Sequence, residues 1–126
     1  MKKLLVVVFF LFTSLCNAQT VLTSIKAQMA NYDPYTKEYY YGVIKTARID
    51  FAFYQSAIVV NDEEQSVYRI KTEPKKEVTL DYNQITWVCQ DEKNRRCIFT
   101  LVNFKNDNSD RILVSYSDKV FIYYLN

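Results

Sequence analysis

The sequence predicts an all-β fold: a single small antiparallel β-barrel or β-sandwich of about eight strands, following an N-terminal signal peptide. Three observations carry that expectation. From Val43 onward, apolar and polar residues alternate in short runs rich in Tyr, Val, Ile and Phe, which suit a pleated, half-buried surface. Clusters of Asn, Asp, Ser and Glu separate these runs at short, regular intervals. Finally, the stretch from Gln84 to Asn103 specifies its own pairing. With Cys89 opposite Cys97, Trp87 faces Phe99 and Ile85 faces Leu101, so one face of an antiparallel hairpin is apolar throughout. The polar tip Asp91 to Arg95 suits a turn, Trp87, Phe99, Cys89 and Cys97 become the expected centre of the core, and Ile85 and Leu101 are expected core residues beside them.

The chain begins with Lys2 and Lys3, an apolar run from Leu4 to Leu15 and the small-residue site Cys16-Asn17-Ala18. This is the pattern of a signal peptide spanning residues 1–18, too short for a membrane span of about 20 residues. Cleavage after Ala18 would leave one domain, residues 19–126, with no transmembrane segment, secreted or periplasmic. Removing two of the 16 basic residues leaves 14 against 14 acidic ones, so the expected domain is formally neutral. Neutrality argues against nucleic acid or an anionic membrane as partner. Two cysteines remain in an oxidising compartment, and their opposition in the hairpin predicts a Cys89–Cys97 disulfide at a non-hydrogen-bonded pair.

In chain order, Val21 to Met29 fits a strand, with Val21, Thr23, Ile25, Ala27 and Met29 on one face, or a helix carrying Leu22, Ile25 and Met29. The β character of the rest favours the strand. Asn31 to Gly42 reads as a loop, with Asp33-Pro34 as its turn signal and the chain's only glycine at its end. Ile49, Phe51 and Phe53 then share one face, and Ser56 to Val60 follows as a more uniformly apolar run. Tyr68 and Ile70 alternate with Arg69 and Lys71. Glu73 to Lys76 reads as a break, and Val78, Leu80 and Tyr82 as one face of the next strand. After the Trp87 hairpin, Asn106 to Asp110 turns into Ile112, Val114 and Tyr116, and Val120 to Leu125 is the last strand.

Chemistry has few carriers. There is no histidine, which removes the usual hydrolytic triads, zinc sites and acid–base machinery, and one glycine cannot build a phosphate loop. Asn106, Asn108 and Asp110 begin like a calcium loop, but Arg111 and Ser117 stand where glycine and glutamate are needed. Asp62 to Glu64, Lys75-Lys76 and Arg95-Arg96 read as solvated turns. No metal, cofactor or catalytic residue is therefore expected. The 11 tyrosines are the notable excess, with Tyr35, Tyr39, Tyr40 and Tyr41 in the expected loop as candidate ligand-binding residues. The expected function is that of a secreted, non-enzymatic module binding a small apolar molecule, a glycan or a protein. The alternative is a structural subunit of an envelope or extracellular assembly. Strand count and length match small secreted barrels of the lipocalin kind at the level of fold alone. The Gly-x-Trp signature near the first strand is absent, so no family is assigned.

Overall fold

Residues 20–125 are described by the computed structural model, and the signal-peptide expectation at 1–18 lies outside them. Ten strands form one antiparallel sheet, with no helix among the described residues. They are β1 (Thr20–Asp33), β2 (Glu38–Tyr41), β3 (Lys45–Phe53), β4 (Ala57–Asn61), β5 (Gln65–Ile70), β6 (Lys75–Val78), β7 (Tyr82–Gln90), β8 (Arg96–Phe104), β9 (Ser109–Ser115) and β10 (Lys119–Tyr124). Pairing of β10 with β1, from Lys119 opposite Asn31 to Tyr124 opposite Lys26, closes eight of them into a barrel. The other two strands, β2 and β6, lie off the closed circuit. Barrel, not sandwich, is therefore the architecture, and closure removes most of the exposed sheet edge.

The first strand shows how a barrel bends with a single glycine. Val21 to Met29 is strand, but its face changes midway. A register shift between Ser24 and Lys26 turns Leu22 and Ser24 inward before it and Ala27 inward after it. Val21 and Ile25 stay largely exposed, so the single face expected for Val21, Thr23, Ile25, Ala27 and Met29 is corrected. Such a bulge adds local twist, which barrel closure requires. Ser24 is fully buried there, its hydroxyl 2.8 Å from the Lys26 carbonyl and 3.1 Å from the Tyr124 carbonyl. The expected loop from Asn31 to Gly42 is also corrected. Its first residues end β1, Glu38–Tyr41 is β2, and only residues 34–37 turn, with Lys37 at a φ of 60°. Gly42 lies where β2 gives way to β3: its N–H donates to the Met29 carbonyl, which a Cβ there would approach to 3.2 Å.

A second interruption separates β5 from β6. The two run in line along β7, and Pro74, unable to donate a backbone bond, lies in the gap. Lys75 and Lys76, expected in a break, are therefore strand residues. Val78 and Leu80, expected to face inward, are 74% and 94% exposed, with Leu80 in the turn before β7.

The Trp87 hairpin has the expected register throughout: Ile85–Leu101, Trp87–Phe99 and Cys89–Cys97. Its tip is a tight turn in which the Asn94 N–H reaches the Asp91 carbonyl, and Asn94 takes a φ of 65°. Asparagine tolerates that conformation better than most residues. The expected disulfide is not formed; Cys89 and Cys97 are buried free thiols. The reason lies in the phase of the ladder. The Asp91 N–H donates to the Arg95 carbonyl and the Lys105 N–H to the Asp81 carbonyl, and bonded pairs recur at every second position. Cys89–Cys97 therefore falls on a hydrogen-bonded pair, where opposed side chains stand farther apart than in the non-hydrogen-bonded pair that the expected disulfide called for.

Inside the barrel, Phe51, Phe99, Ile58 and Ile112 are the largest fully buried apolar side chains. Phe99 meets Tyr68 edge-on at 4.8 Å, and Phe51 meets Tyr123 at 4.9 Å. Phe99 is thus central as expected, while Trp87, Leu101 and Ile85 are half-buried. Trp87 packs on Phe53 at 5.1 Å, nearer the far end.

Candidate functional site

The two ends of the barrel differ in chemistry. At the end holding the Asp91 turn, the interior is stopped by a polar network. Asp91 is only 6% exposed and accepts from the N–H groups of Lys93 and Arg95, from Arg95 Nε and from the Tyr116 hydroxyl. The Arg95 guanidinium also lies 5.0 Å from the centre of the Tyr116 ring. Burial alone would raise the Asp91 carboxyl, but the Arg95 N–H, the Tyr116 hydroxyl, the Lys93 N–H and the Arg95 guanidinium together hold it below its ordinary value. Burial pushes the Tyr116 hydroxyl far up, assisted by its bond to Asp91, and also raises Tyr68 and Tyr123. Cys89 is pushed up to about 12 and Cys97 to about 11, in both cases chiefly by burial. At neutral pH every one of these hydroxyls and thiols keeps its proton while Asp91 is ionised. The network is built to fasten the turn and has no group poised to exchange a proton near neutrality.

The opposite end is open. A cavity of about 360 Å³ lies between β6–β9, the start of β1 and the residue after β10. Its apolar wall is Leu22, Val78, Ile85, Leu101 and Leu125, and Asn83, Asn103 and Asp110 stand among the polar residues around it. The pairing explains this composition. Inward positions on β7 and β8 run from Cys89 and Cys97 through Trp87 and Phe99 to Ile85 and Leu101, then to Asn83 and Asn103 at the mouth. Asp110 lies opposite Asn103 on β9, and the Asn103 amide donates to it at 2.6 Å. Among the described residues, the neighbouring β6 leaves one backbone edge unpaired at this end. A volume of this size falls at the lower end of small-molecule sites, and an apolar wall with a few polar groups is their usual chemistry.

The candidate tyrosines separate. Tyr39 and Tyr41 point to the outer face, on the side of Tyr32 and Ala30, and line a groove of about 500 Å³ outside the barrel. Tyr40 points the other way, its hydroxyl 3.3 Å from Thr36 Oγ1, and Tyr35 is 95% exposed in the turn. The four therefore form no single grip. Of the expected core residues, Ile85 and Leu101 line the cavity. Sequence reading missed Leu22, Asn83, Asn103 and Leu125. Asp110 was noticed only within a failed calcium motif, and among the described residues no group of three or more Cys, Asp or Glu could hold a metal ion. Continuing the hairpin's period of two past Leu101 and Ile85 would have placed Asn103 and Asn83 at the mouth. Searches against family models, curated proteins and solved structures found no match for this chain.

Proposed function

We propose that the protein is a secreted, non-enzymatic binding module that takes a small, largely apolar molecule into the open end of its barrel. One observation carries this reading: an apolar cavity of about 360 Å³ at one end of a barrel whose other end is stoppered by the Asp91 network. The lack of histidine and of any group titrating near neutrality in the Asp91 network supports a non-catalytic role. The secreted location rests on the pattern of residues 1–18, and the intact mass of exported protein checks it. A chain beginning at Gln19 is expected, and one retaining Met1 would defeat it.

Nile red, a neutral dye whose emission shifts in apolar surroundings, tests the cavity. It should bind saturably, and Ile85→Trp, which fills the mouth from a half-buried position outside the main core, should weaken it by about tenfold or more. No uptake, or uptake unchanged by Ile85→Trp, would remove the reading. A structural or interaction role is the second reading, favoured by the unpaired edge of β6 beside exposed Val78 and Leu80. Under it, dilution should dissociate an oligomer and no dye should enter.

A further inference from the structure

We propose that the groove on the outer face of β9 and β10 is a second binding site, for an organic carboxylate carrying a flat apolar ring. The groove is floored by Ala30, Leu113 and Ile122, with Tyr39 and Tyr41 among its walls. Ala30 and Ile122 are buried although both face outward, opposite Tyr41 and Leu113 respectively in the sheet. An apolar floor beneath two tyrosines provides a surface on which a ring can lie.

The charge in the groove is Arg111. Its guanidinium lies 4.9 Å from the Phe104 ring centre and 5.1 Å from that of Tyr124. Its Nε is buried and has no hydrogen-bond partner among the described residues. A buried donor without a partner is costly, and two rings satisfy the charge without accepting its N–H groups. The side chain as a whole is half-buried, and with Nε buried the two terminal amino groups are the donors it can offer a ligand. Rings beside a guanidinium fix the plane of its fork, and a planar fork matches a carboxylate through two parallel hydrogen bonds. Asp107, whose carboxyl Arg111 helps to hold low, is already engaged by the Ser109 hydroxyl and N–H. Cation, flat walls and apolar floor converge on a ligand with an apolar ring and an anionic edge. A sugar would find few partners on that aliphatic floor. This site is separate from the barrel-end cavity and does not depend on the role proposed for it.

Naphthoate and its uncharged counterpart naphthylmethanol test the assignment by amide chemical-shift titration of the protein. Naphthoate should perturb Leu113, Ser115 and Ile122 saturably and bind about tenfold more tightly than naphthylmethanol. Arg111→Gln should abolish that preference, and Tyr41→Ser should weaken both compounds about fivefold. Tyr41 is 65% exposed, so its variant keeps the test alive should Arg111→Gln fail to fold. Equal affinity for the two compounds, no binding, a preference surviving Arg111→Gln, an unchanged affinity in Tyr41→Ser, or shifts confined to Ile85 and Leu101 would each overturn the site.

Discussion

Asp91→Ala should destabilise the protein by about 1–3 kcal/mol, as expected when a buried acceptor of several hydrogen bonds is removed while its ion-pair partner Arg95 stays half exposed. Asp91 is nearly inaccessible and is the common acceptor of two backbone N–H groups, a guanidinium and a hydroxyl. Truncation leaves Arg95 and Tyr116 without their acceptor and unties the β7–β8 turn at once. Urea unfolding at neutral pH measures the loss, a sizeable share of a typical domain stability of roughly 5–15 kcal/mol. Asp91→Asn, which keeps one acceptor oxygen, should cost less. The same residue sets the acid limb. Its folded value lies below the ordinary one, so its contribution is complete above the unfolded carboxylate's pKa and is lost as pH falls through the folded value. The variant should therefore be flatter than the parent as pH falls below about 4, the ordinary range of an aspartate. A change below about 1 kcal/mol, the usual range of an exposed ion pair, would show that the network does not fasten this end.

What could be read from the sequence, and what could not, follows from how local each determinant is. The Trp87 hairpin was legible because a one-residue slip would drive Phe99 to the outer face. Its hydrogen-bonding phase was not. That phase depends on how the Asp91–Asn94 turn closes, and it places Cys89 and Cys97 on the wider-spaced kind of pair. The β1 bulge was hidden because a strand that changes face midway has no single period, and both templates then fit it partly. Lys75 and Lys76 looked like a break because charge and Pro74 mask a short strand with one unpaired edge, where such residues are tolerated. The cavity was half visible. Ile85 and Leu101 were identified as apolar partners, but nothing local shows that the barrel is unfilled beyond them. That depends on Leu22 and Leu125, from the two far ends of the described chain. Tyr39 and Tyr41 were separated from Tyr35 and Tyr40 only when their loop proved to be strand, because alternation then sends neighbours to opposite faces.

Alkali should unfold the protein at a pH that ordinary barrels tolerate, and the sign follows from the buried acids. In the unfolded chain the thiols ionise near 9.0 and the tyrosines near 10.0, whereas folding raises Cys89 to about 12, Cys97 to about 11, and Tyr68, Tyr116 and Tyr123 upward as well. A raised folded value means that the stabilisation is complete below the unfolded pKa and is lost as pH climbs toward the folded one. Each pH unit inside that window removes about 1.4 kcal/mol for each fully shifted group. Cys89, fully buried, should alone remove on the order of 2 kcal/mol by about pH 11. The others act in the same direction, though less than additively because Cys97, Tyr116 and Tyr68 influence one another. The urea midpoint should accordingly be level between about pH 6 and 8 and fall steeply from about pH 9, with the share of tyrosinate absorbance that belongs to Tyr68, Tyr116 and Tyr123 appearing only as the chain unfolds. Replacing both cysteines by alanine removes the earliest-titrating groups, so the onset should move up toward the tyrosine range, even though two small cavities lower the neutral-pH stability. A midpoint that stays level from pH 8 to about pH 11, or the full tyrosinate absorbance developing before the chain unfolds, would show that these side chains reach water more freely than their packing implies.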